Sequence, residues 1–183
     1  MPRAAADARV ALNLDPGAKV VLVSGGGWGV GDVEGAVREV LAVEGVDQAV
    51  CLCGRNEELY TQLTADFAGD ARVRVESFTE EMPEWLAAAD ALVHSTGGLT
   101  VLEALMRGCP PISYGWGRGH VRDNNKAFKR FGLAEVAATP AALRAAVSRA
   151  LEQGCTALDV SGLPSAASFV LAELSAASPP NGA

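Results

Sequence analysis

Short apolar segments alternate with helix-like segments along most of the chain, and this alternation restricts the fold more than any other feature of the sequence. The run Val20-Val21-Leu22-Val23 ends in glycines and predicts a buried strand, whereas Val33, Val37 and Val40 recur at helical spacing. Strands that alternate with helices in this way pair in parallel, with helices on both faces of one sheet. The sequence therefore predicts an α/β fold with a doubly wound, mostly parallel sheet.

The same pattern divides the chain into elements and two regions. The predicted strands cover residues 19–24, 48–53, 73–77, 91–94, 111–114 and 133–137. The predicted helices cover residues 32–43, 57–67, 82–89, 100–107, 122–131 and 140–152, with one more at 166–176. Because the pattern weakens after Gly154, we expect one ligand-binding domain, residues 1–154, followed by a C-terminal helix and disordered tail, residues 155–183.

Charge and hydropathy exclude several classes of function. Lys and Arg total 15 against 22 Asp and Glu, which gives a formal net charge of −7, and no basic run or basic amphipathic segment is evident. An acidic chain of this kind is a poor nucleic-acid binder. No apolar stretch is long enough to span a bilayer, and the N-terminus lacks the apolar core of a signal peptide. We expect a cytoplasmic protein.

The four cysteines do not form a metal-binding motif. Cys51 and Cys53 are two residues apart and so share one face of a strand, and only two histidines could join them as ligands. We interpret the cysteines, including Cys109 and Cys155, as buried free thiols of a reducing compartment. No metal site is predicted.

Ligands of a doubly wound sheet bind outside the carboxyl ends of its strands, where this chain has glycine-rich loops. The first loop has five glycines within residues 25–31, which allows backbone amides to approach a phosphate. It lacks both the G-x-G-x-x-G fingerprint and a P-loop, which weakens an NAD or ATP interpretation. A tight turn without a ligand is the alternative.

Two further loops follow later strands. Gly97 and Gly98 precede a predicted helix, in which Thr100 and Glu103 fit a capping box. The Glu103 carboxylate could instead accept hydrogen bonds from ribose hydroxyls. The loop at residues 115–125 is rich in glycine, aromatic and polar residues, and in it Asp123 or Asn124 could serve simply as a helix cap.

Three ordered motifs resemble the C-terminal, donor-binding half of a GT-B glycosyltransferase with a Rossmann-like sheet. They are the strand and glycine loop at residues 21–29, the F-x-x-x-M … A-D-x-x-V segment at 78–93, and the G-G-x-T-x-x-E-A … G-x-P signature at 97–110. The nearest resemblance is to family 28, with the lipid-II-forming N-acetylglucosaminyltransferase and the monogalactosyldiacylglycerol synthases. It extends from about residue 3 to residue 151.

The resemblance implies a UDP-sugar site without a further cofactor. Gly26 and Gly27 would approach the diphosphate, the backbone near Phe78 would hold the uracil, and Glu103 would accept the ribose hydroxyls. No D-x-D triplet is present, so amides and the helix dipole would replace a metal. The implied binding residues are Gly26, Gly27, Trp28, Phe78, Met82, Thr96, Gly97, Gly98, Leu99, Thr100, Glu103, Gly119, His120 and Asn124.

The chain departs from the family at the position of the sugar. Family members commonly have Gly-Gln-Glu where this chain has Gly119-His120-Val121, so the sugar, a hexose or an N-acetylhexosamine, stays open. His120 is our candidate donor to sugar hydroxyls. Arg55 and Asn56, after the second strand, could contact the sugar or cap the next helix, and we favour the cap.

The resemblance also implies a missing half. An acceptor site and a general base normally lie in an N-terminal domain, here on the same polypeptide or on a partner chain, so no catalytic residue is assigned. The acceptor would be a lipid or a small molecule, and peripheral membrane association would run through the missing half.

Besides an α/β domain with an unrelated ligand, two alternatives stay open. One is half of a UDP-N-acetylglucosamine 2-epimerase-like enzyme. The other is a non-catalytic nucleotide-sugar module, which would expose an apolar face formed by Trp85, Trp116, Phe128 and the last helix.

Overall fold

The computed structural model describes residues 5–95, 97–115, 120–154 and 157. Its six strands form one sheet in the order β3-β2-β1-β4-β5-β6, and every pairing is parallel. The strands are β1 (Val20–Ser24), β2 (Gln48–Leu52), β3 (Val73–Glu76), β4 (Ala91–His94), β5 (Pro111–Tyr114) and β6 (Glu135–Ala137). The predicted fold class is confirmed.

Seven α-helices are present in the described part of the chain. They are α1 (Ala5–Ala11), α2 (Val33–Leu41), α3 (Glu57–Asp66), α4 (Met82–Ala88), α5 (Leu99–Arg107), α6 (His120–Phe131) and α7 (Pro140–Gln153). The six helices predicted up to residue 152 are confirmed, with shifts of up to two residues at their ends. α1 was not predicted, and the helix expected at 166–176 lies outside the described residues.

Each face of the sheet has its own apolar core. The inward side chains of α2, α3 and α7 cover one face together with Val21, Val23 and Ile112. α1, α4 and α5 cover the other face together with Leu22, Leu52 and Leu92. Successive side chains of a strand point to opposite faces of the sheet. Because helices cover both faces here, the side chains on both faces are buried, which explains the uninterrupted apolar runs in the strand sequences.

A buried ionic network fastens α1 to the sheet. The Arg9 guanidinium lies 2.7 Å from Asp90 Oδ2 and donates through Nε to the Ala88 carbonyl at 2.8 Å. Asp90 Oδ2 also accepts the Val20 N–H at 2.8 Å, and its Oδ1 lies 3.1 Å from Lys19 Nζ. Asp90 of the A-D-x-x-V motif therefore connects the start of β1 with α1.

The described cysteines lie in these cores. Cys51, Cys53 and Cys109 are buried and form no disulfide with one another, as expected for structural thiols. Burial, with a smaller contribution from Cys53, raises the pKa of Cys51 to about 12, and burial raises that of Cys53 to about 11. Cys155 lies outside the described residues.

None of the helices that the structure describes is long and apolar enough to cross a bilayer.

Candidate functional site

The strand order reverses between β1 and β4, and this reversal locates the candidate site. β1 continues to β2 on one side, whereas the chain returns from β3 to form β4 on the other side of β1. The loops after β1 and β4 therefore diverge and leave a crevice between them at the carboxyl edge of the sheet. Both glycine loops singled out in the sequence lie at this switch point.

A buried row of polar side chains crosses three strands at this edge. Ser24 pairs in register with His94, and His94 with Ser113. All three side chains are buried. Ser24 Oγ accepts the Gly26 N–H at 3.1 Å, and Ser113 Oγ donates to Asn125 Oδ1 of α6 at 2.6 Å. The row thus holds the loops that follow the strands.

The first glycine loop forms a 3₁₀ turn, Gly26–Trp28, against the loop after β2. The Arg55 N–H donates to the Gly27 carbonyl at 2.8 Å. Gly54 packs so closely that a Cβ added there would lie 2.6 Å from the Gly26 oxygen and from Gly27. Gly27 itself has open space where its Cβ would be, so its backbone is free to approach a ligand.

Arg55 and Asn56 have different roles. Asn56 caps α3, since its Oδ1 accepts the Leu59 N–H at 2.9 Å, as predicted. Arg55 is not a cap, and its guanidinium lies 4.0 Å from the centroid of the Phe78 ring. Phe78 is 45% exposed, so the two side chains form a partly open cation–π stack beside the first glycine loop.

The second glycine loop is held tightly from beneath. The Gly97 N–H donates to His94 Nδ1 at 3.0 Å. A Cβ added at Gly97 would lie 3.0 Å from Phe128 Cζ and 3.3 Å from Asn124 Nδ2, and the backbone φ of 72° favours glycine in any case. His94 also meets Phe128 edge to face, with centroids 5.9 Å apart. Strand β4 and helix α6 together therefore fix this loop.

The capping-box alternative for Glu103 is wrong. α5 begins at Leu99 with Gly98 as its N-cap residue, so Thr100 lies inside the first turn and cannot cap it. No side chain caps this helix, and its first turn carries no acid. Glu103 is exposed, and its carboxylate has no hydrogen-bond or ion-pair partner among the residues that the structure describes.

The two glycine loops touch each other across the crevice. Ser95 Oγ donates to the Val30 carbonyl, and a Cβ added at Gly31 would lie 2.5 Å from the Ser95 Cβ. The two loops are therefore in contact where Ser95 meets residues 30–31.

The other predicted site residues are distributed as follows. Trp28 and Leu99 are 71% and 76% exposed at the carboxyl edge, and Met82 begins α4 half-buried against the second core. α6 begins at His120, so Asp123 and Asn124 lie within it and the expectation that either caps it is wrong. Thr96, Gly119 and the His120 side chain lie outside what the structure describes.

The exposed apolar face expected for a non-catalytic module is not found at the predicted positions. Trp85 and Phe128 are 3% and 7% exposed, and the apolar side of α7 packs into the first core; Trp116 is not described. The exposed apolar side chains of α5 are Leu99, Leu102 and Met106.

Sequence reasoning did not identify His94, Ser24, Ser113 or the stacking of Arg55 as parts of the site. The available signal was a polar residue at the last position of β1 and β4 and at the last position but one of β5. Only the register shows that they form one row.

A doubly wound parallel sheet with two glycine loops at its switch point defines a Rossmann-like α/β domain. The chain belongs to the glycosyl transferases group 1 family, which matches residues 20–153.

Comparisons with known proteins agree with this assignment. The chain is 32% identical over 129 residues to a processive diacylglycerol beta-glucosyltransferase of Staphylococcus aureus (strain Newman), an alignment that covers 70% of this chain and 33% of the relative. The chain thus spans about a third of that relative's length.

Solved glycosyltransferases share the fold. WaaG, a glycosyltransferase involved in lipopolysaccharide biosynthesis, superposes with a TM-score of 0.65 at 18% identity, over 84% of this chain and 43% of WaaG. Anabaena Alr3699/HepE, solved in complex with UDP-glucose, superposes with a TM-score of 0.50 at 15% identity, over 94% of this chain and 52% of HepE. The resemblance to GT-B glycosyltransferases is confirmed.

Proposed function

We propose that this chain is the donor-binding half of a glycosyltransferase that moves a hexosyl or N-acetylhexosaminyl group from a UDP-sugar to a lipid acceptor. The observation that carries the proposal is the exposed Glu103 carboxylate, without a partner among the described residues, on a helix whose N-terminus no side chain caps. A hydrogen-bond acceptor thus lies close to uncapped backbone donors.

The diphosphate would bind at the start of α5. A helix N-terminus carries unpaired N–H groups and about half a positive charge, which together favour an anion. Gly97 and Gly98, with φ of 72° and 81°, present backbone without side chains at this point. Gly26 and Gly27 of the first loop would supply further amides, so backbone donors and a helix dipole would hold the phosphates.

The nucleoside would bind beside these loops. Glu103 follows the first turn of α5 on the exposed side of the helix, where its carboxylate would accept the ribose hydroxyls. Phe78 and Arg55 offer a stacked, partly exposed surface for the uracil, and the Arg55 N–H bond to Gly27 joins that surface to the phosphate loop. HepE, which shares the fold, was solved with UDP-glucose and supports a UDP-sugar as the ligand class.

The acceptor site and the proton transfer are assigned to the part of the relatives' length that this chain does not span. The Staphylococcus aureus relative is named for a diacylglycerol acceptor, which favours a lipid here. The chain alone would bind the donor and transfer little, because inverting transfer needs a base at the acceptor hydroxyl. Family membership favours a transferase over the epimerase-like alternative.

The test is calorimetric titration of the chain with UDP and with dUDP, which lacks the 2′-hydroxyl. Wild type should bind UDP about tenfold more tightly than dUDP, since a hydrogen bond to a charged group contributes about 1.5–3 kcal/mol. Glu103→Ala should weaken UDP binding and remove most of the UDP–dUDP difference, while the melting temperature stays near that of wild type.

Glu44→Gln is the matched control, because it removes one exposed carboxylate from the loop before β2, at the opposite edge of the sheet. AMP and NAD serve as control ligands. Absence of UDP binding, or an unchanged UDP–dUDP difference in Glu103→Ala, would contradict the proposed site.

A further inference from the structure

Helix α6 has a charge unlike that of the rest of the chain. Four of its 12 residues are cationic and one is acidic, whereas the formal net charge of the whole protein is −7. The sequence gives no basic run, because the cations are spaced along the helix at Arg122, Lys126, Lys129 and Arg130. Folding collects them on one face.

This basic face, defined by those four residues, is only slightly neutralised. Lys126 Nζ lies 3.0 Å from Asp123 Oδ1, and Arg122 is near enough to Asp123 to contribute to its lowered pKa. Among the described residues, Arg122, Lys129 and Arg130 form no ion pair at contact distance. Cations on other surfaces do form such pairs, for example Arg38 with Glu34, Arg72 with Asp70 and Arg144 with Glu39. In the described part of the chain, most of the cations without an ion pair therefore lie on α6, with Arg55 and Arg107 elsewhere.

The basic face borders a cavity of about 290 Å³ with both cationic and apolar walls. Arg122, Asn125, Lys126 and Lys129 supply the polar side, and Val136 and Ala138 supply the apolar side. Gly115, which directly follows β5, also lines this cavity, so the face reaches the carboxyl edge of the sheet where the glycine loops lie. At the other end of α6, Phe131 is 64% exposed beside Arg130.

We propose that the basic face of α6 docks on the surface of an anionic phospholipid bilayer, with a lipid phosphate in the cavity between Arg122, Lys126 and Lys129. The inference rests on the proposed function, whose acceptor is a lipid. A cationic rim above apolar walls fits a phosphate joined to a glycerol backbone. Salt screens charges beyond about 8 Å, so the acidic remainder of the chain does not cancel this attraction.

Co-sedimentation with vesicles tests the docking. One set of vesicles contains phosphatidylglycerol and phosphatidylcholine in equal parts, and the other contains phosphatidylcholine alone. Wild type should sediment with the anionic vesicles only, and less so as salt rises. The triple variant Arg122→Gln/Lys126→Gln/Lys129→Gln should bind about a hundredfold more weakly, at about fivefold for each cation lost.

The matched control is Arg38→Gln/Arg72→Gln/Arg144→Gln, which removes the same charge from surfaces away from α6 and should keep most of the vesicle binding. Equal losses in the two triple variants, or no sedimentation of wild type at low salt, would overturn the proposal. So would full displacement from vesicles by equimolar inorganic phosphate, which would make the cavity a site for soluble phosphate. UDP titration without vesicles reports separately on the donor site, so the two proposals can fail independently.

Discussion

His94 Nδ1 accepts the backbone N–H of Gly97 at 3.0 Å, and this bond makes a buried strand residue part of the second glycine loop. Because Nδ1 is the acceptor, the neutral ring carries its proton on Nε2, which has no hydrogen-bond partner among the described residues. Burial lowers the pKa of His94 from 6.5 to about 4, so the ring is neutral at physiological pH. The hydrogen bond from β4 to the loop therefore requires one tautomer of the His94 ring.

Variants at His94 should show whether its side chain positions the second glycine loop through the Gly97 hydrogen bond or only fills space beside Phe128. His94→Leu keeps apolar volume beside Phe128 but removes the acceptor, so the Gly97 N–H loses its partner and we expect UDP affinity to fall about tenfold. His94→Asn can return an acceptor near the Nδ1 position and should recover part of that loss. Both variants are checked by UDP calorimetry with melting curves. Equal affinity in wild type and His94→Leu would show that the bond does not position the loop.

Stability should depend on pH through the same residue. The unfolded chain binds a proton at His94 near pH 6.5, whereas the folded chain does so only near pH 4. The stability due to neutral His94 is thus fully present above about pH 6.5 and is lost as the pH falls through this window, by about 3 kcal/mol in all. Urea titrations from pH 7 to 4.5 should show a shallower decline for His94→Leu than for wild type. Parallel declines in the two proteins would exclude His94 as the source.

The sequence could predict the sheet but not the way its loops are held. The predicted strands at 91–94 and 111–114 matched the observed strands in full, because short, mainly apolar runs between helical segments favour buried strands of a parallel sheet. α1 was missed because its burial depends on Arg9 reaching Asp90, a contact between residues far apart in sequence. The capping box failed for a related reason: Gly98 at φ 81° takes the N-cap position that a local motif assigns to Thr100.

The candidate site likewise contains some residues that the sequence could predict and others that only the folded structure shows. Gly97, Gly98 and Glu103 are visible in the sequence because glycines before a helix have a local physical meaning. The stack of Arg55 on Phe78 depends on tertiary packing, which the sequence does not show. The basic face of α6 depends on helical geometry, because its four cations are spaced apart in the sequence and meet only on the folded helix. Long-range register and packing account for what the sequence could not predict.

The buried network around Asp90 should matter for stability and not for ligand recognition. Asp90→Ala removes the partner of the buried Arg9 guanidinium and of the Val20 N–H, so we expect a loss of about 3–5 kcal/mol in the free energy of unfolding. Arg9→Met/Asp90→Leu, which removes both buried charges, should recover part of this loss. Urea denaturation gives both values. A loss below about 1 kcal/mol in Asp90→Ala would mean that water replaces the network.

Gly27 and Gly54 lie in two loops that pack against each other. Alanine variants at the two positions should have different effects, with Gly54→Ala lowering stability and Gly27→Ala lowering UDP affinity. Gly54 has φ 60°, and an added Cβ would lie 2.6 Å from backbone atoms of Gly26 and Gly27. Gly54→Ala should therefore destabilise the fold by more than about 2 kcal/mol, since neighbouring backbone must move. Gly27 has open space and no left-handed φ, so Gly27→Ala should leave the melting temperature unchanged or slightly higher.

Ligand binding should respond differently, because the proposed diphosphate approaches the Gly27 backbone at the position that a methyl group would occupy. UDP calorimetry of Gly27→Ala, at a temperature where the variant is fully folded, should show at least tenfold weaker binding than wild type. Gly45→Ala is a poor control because φ at Gly45 is 87°, whereas Gly69 has open space and no left-handed φ. Gly69→Ala should retain both stability and UDP affinity. If Gly27→Ala bound UDP as tightly as Gly69→Ala, the first glycine loop would have a structural role only, and the diphosphate would rest on the α5 N-terminus alone.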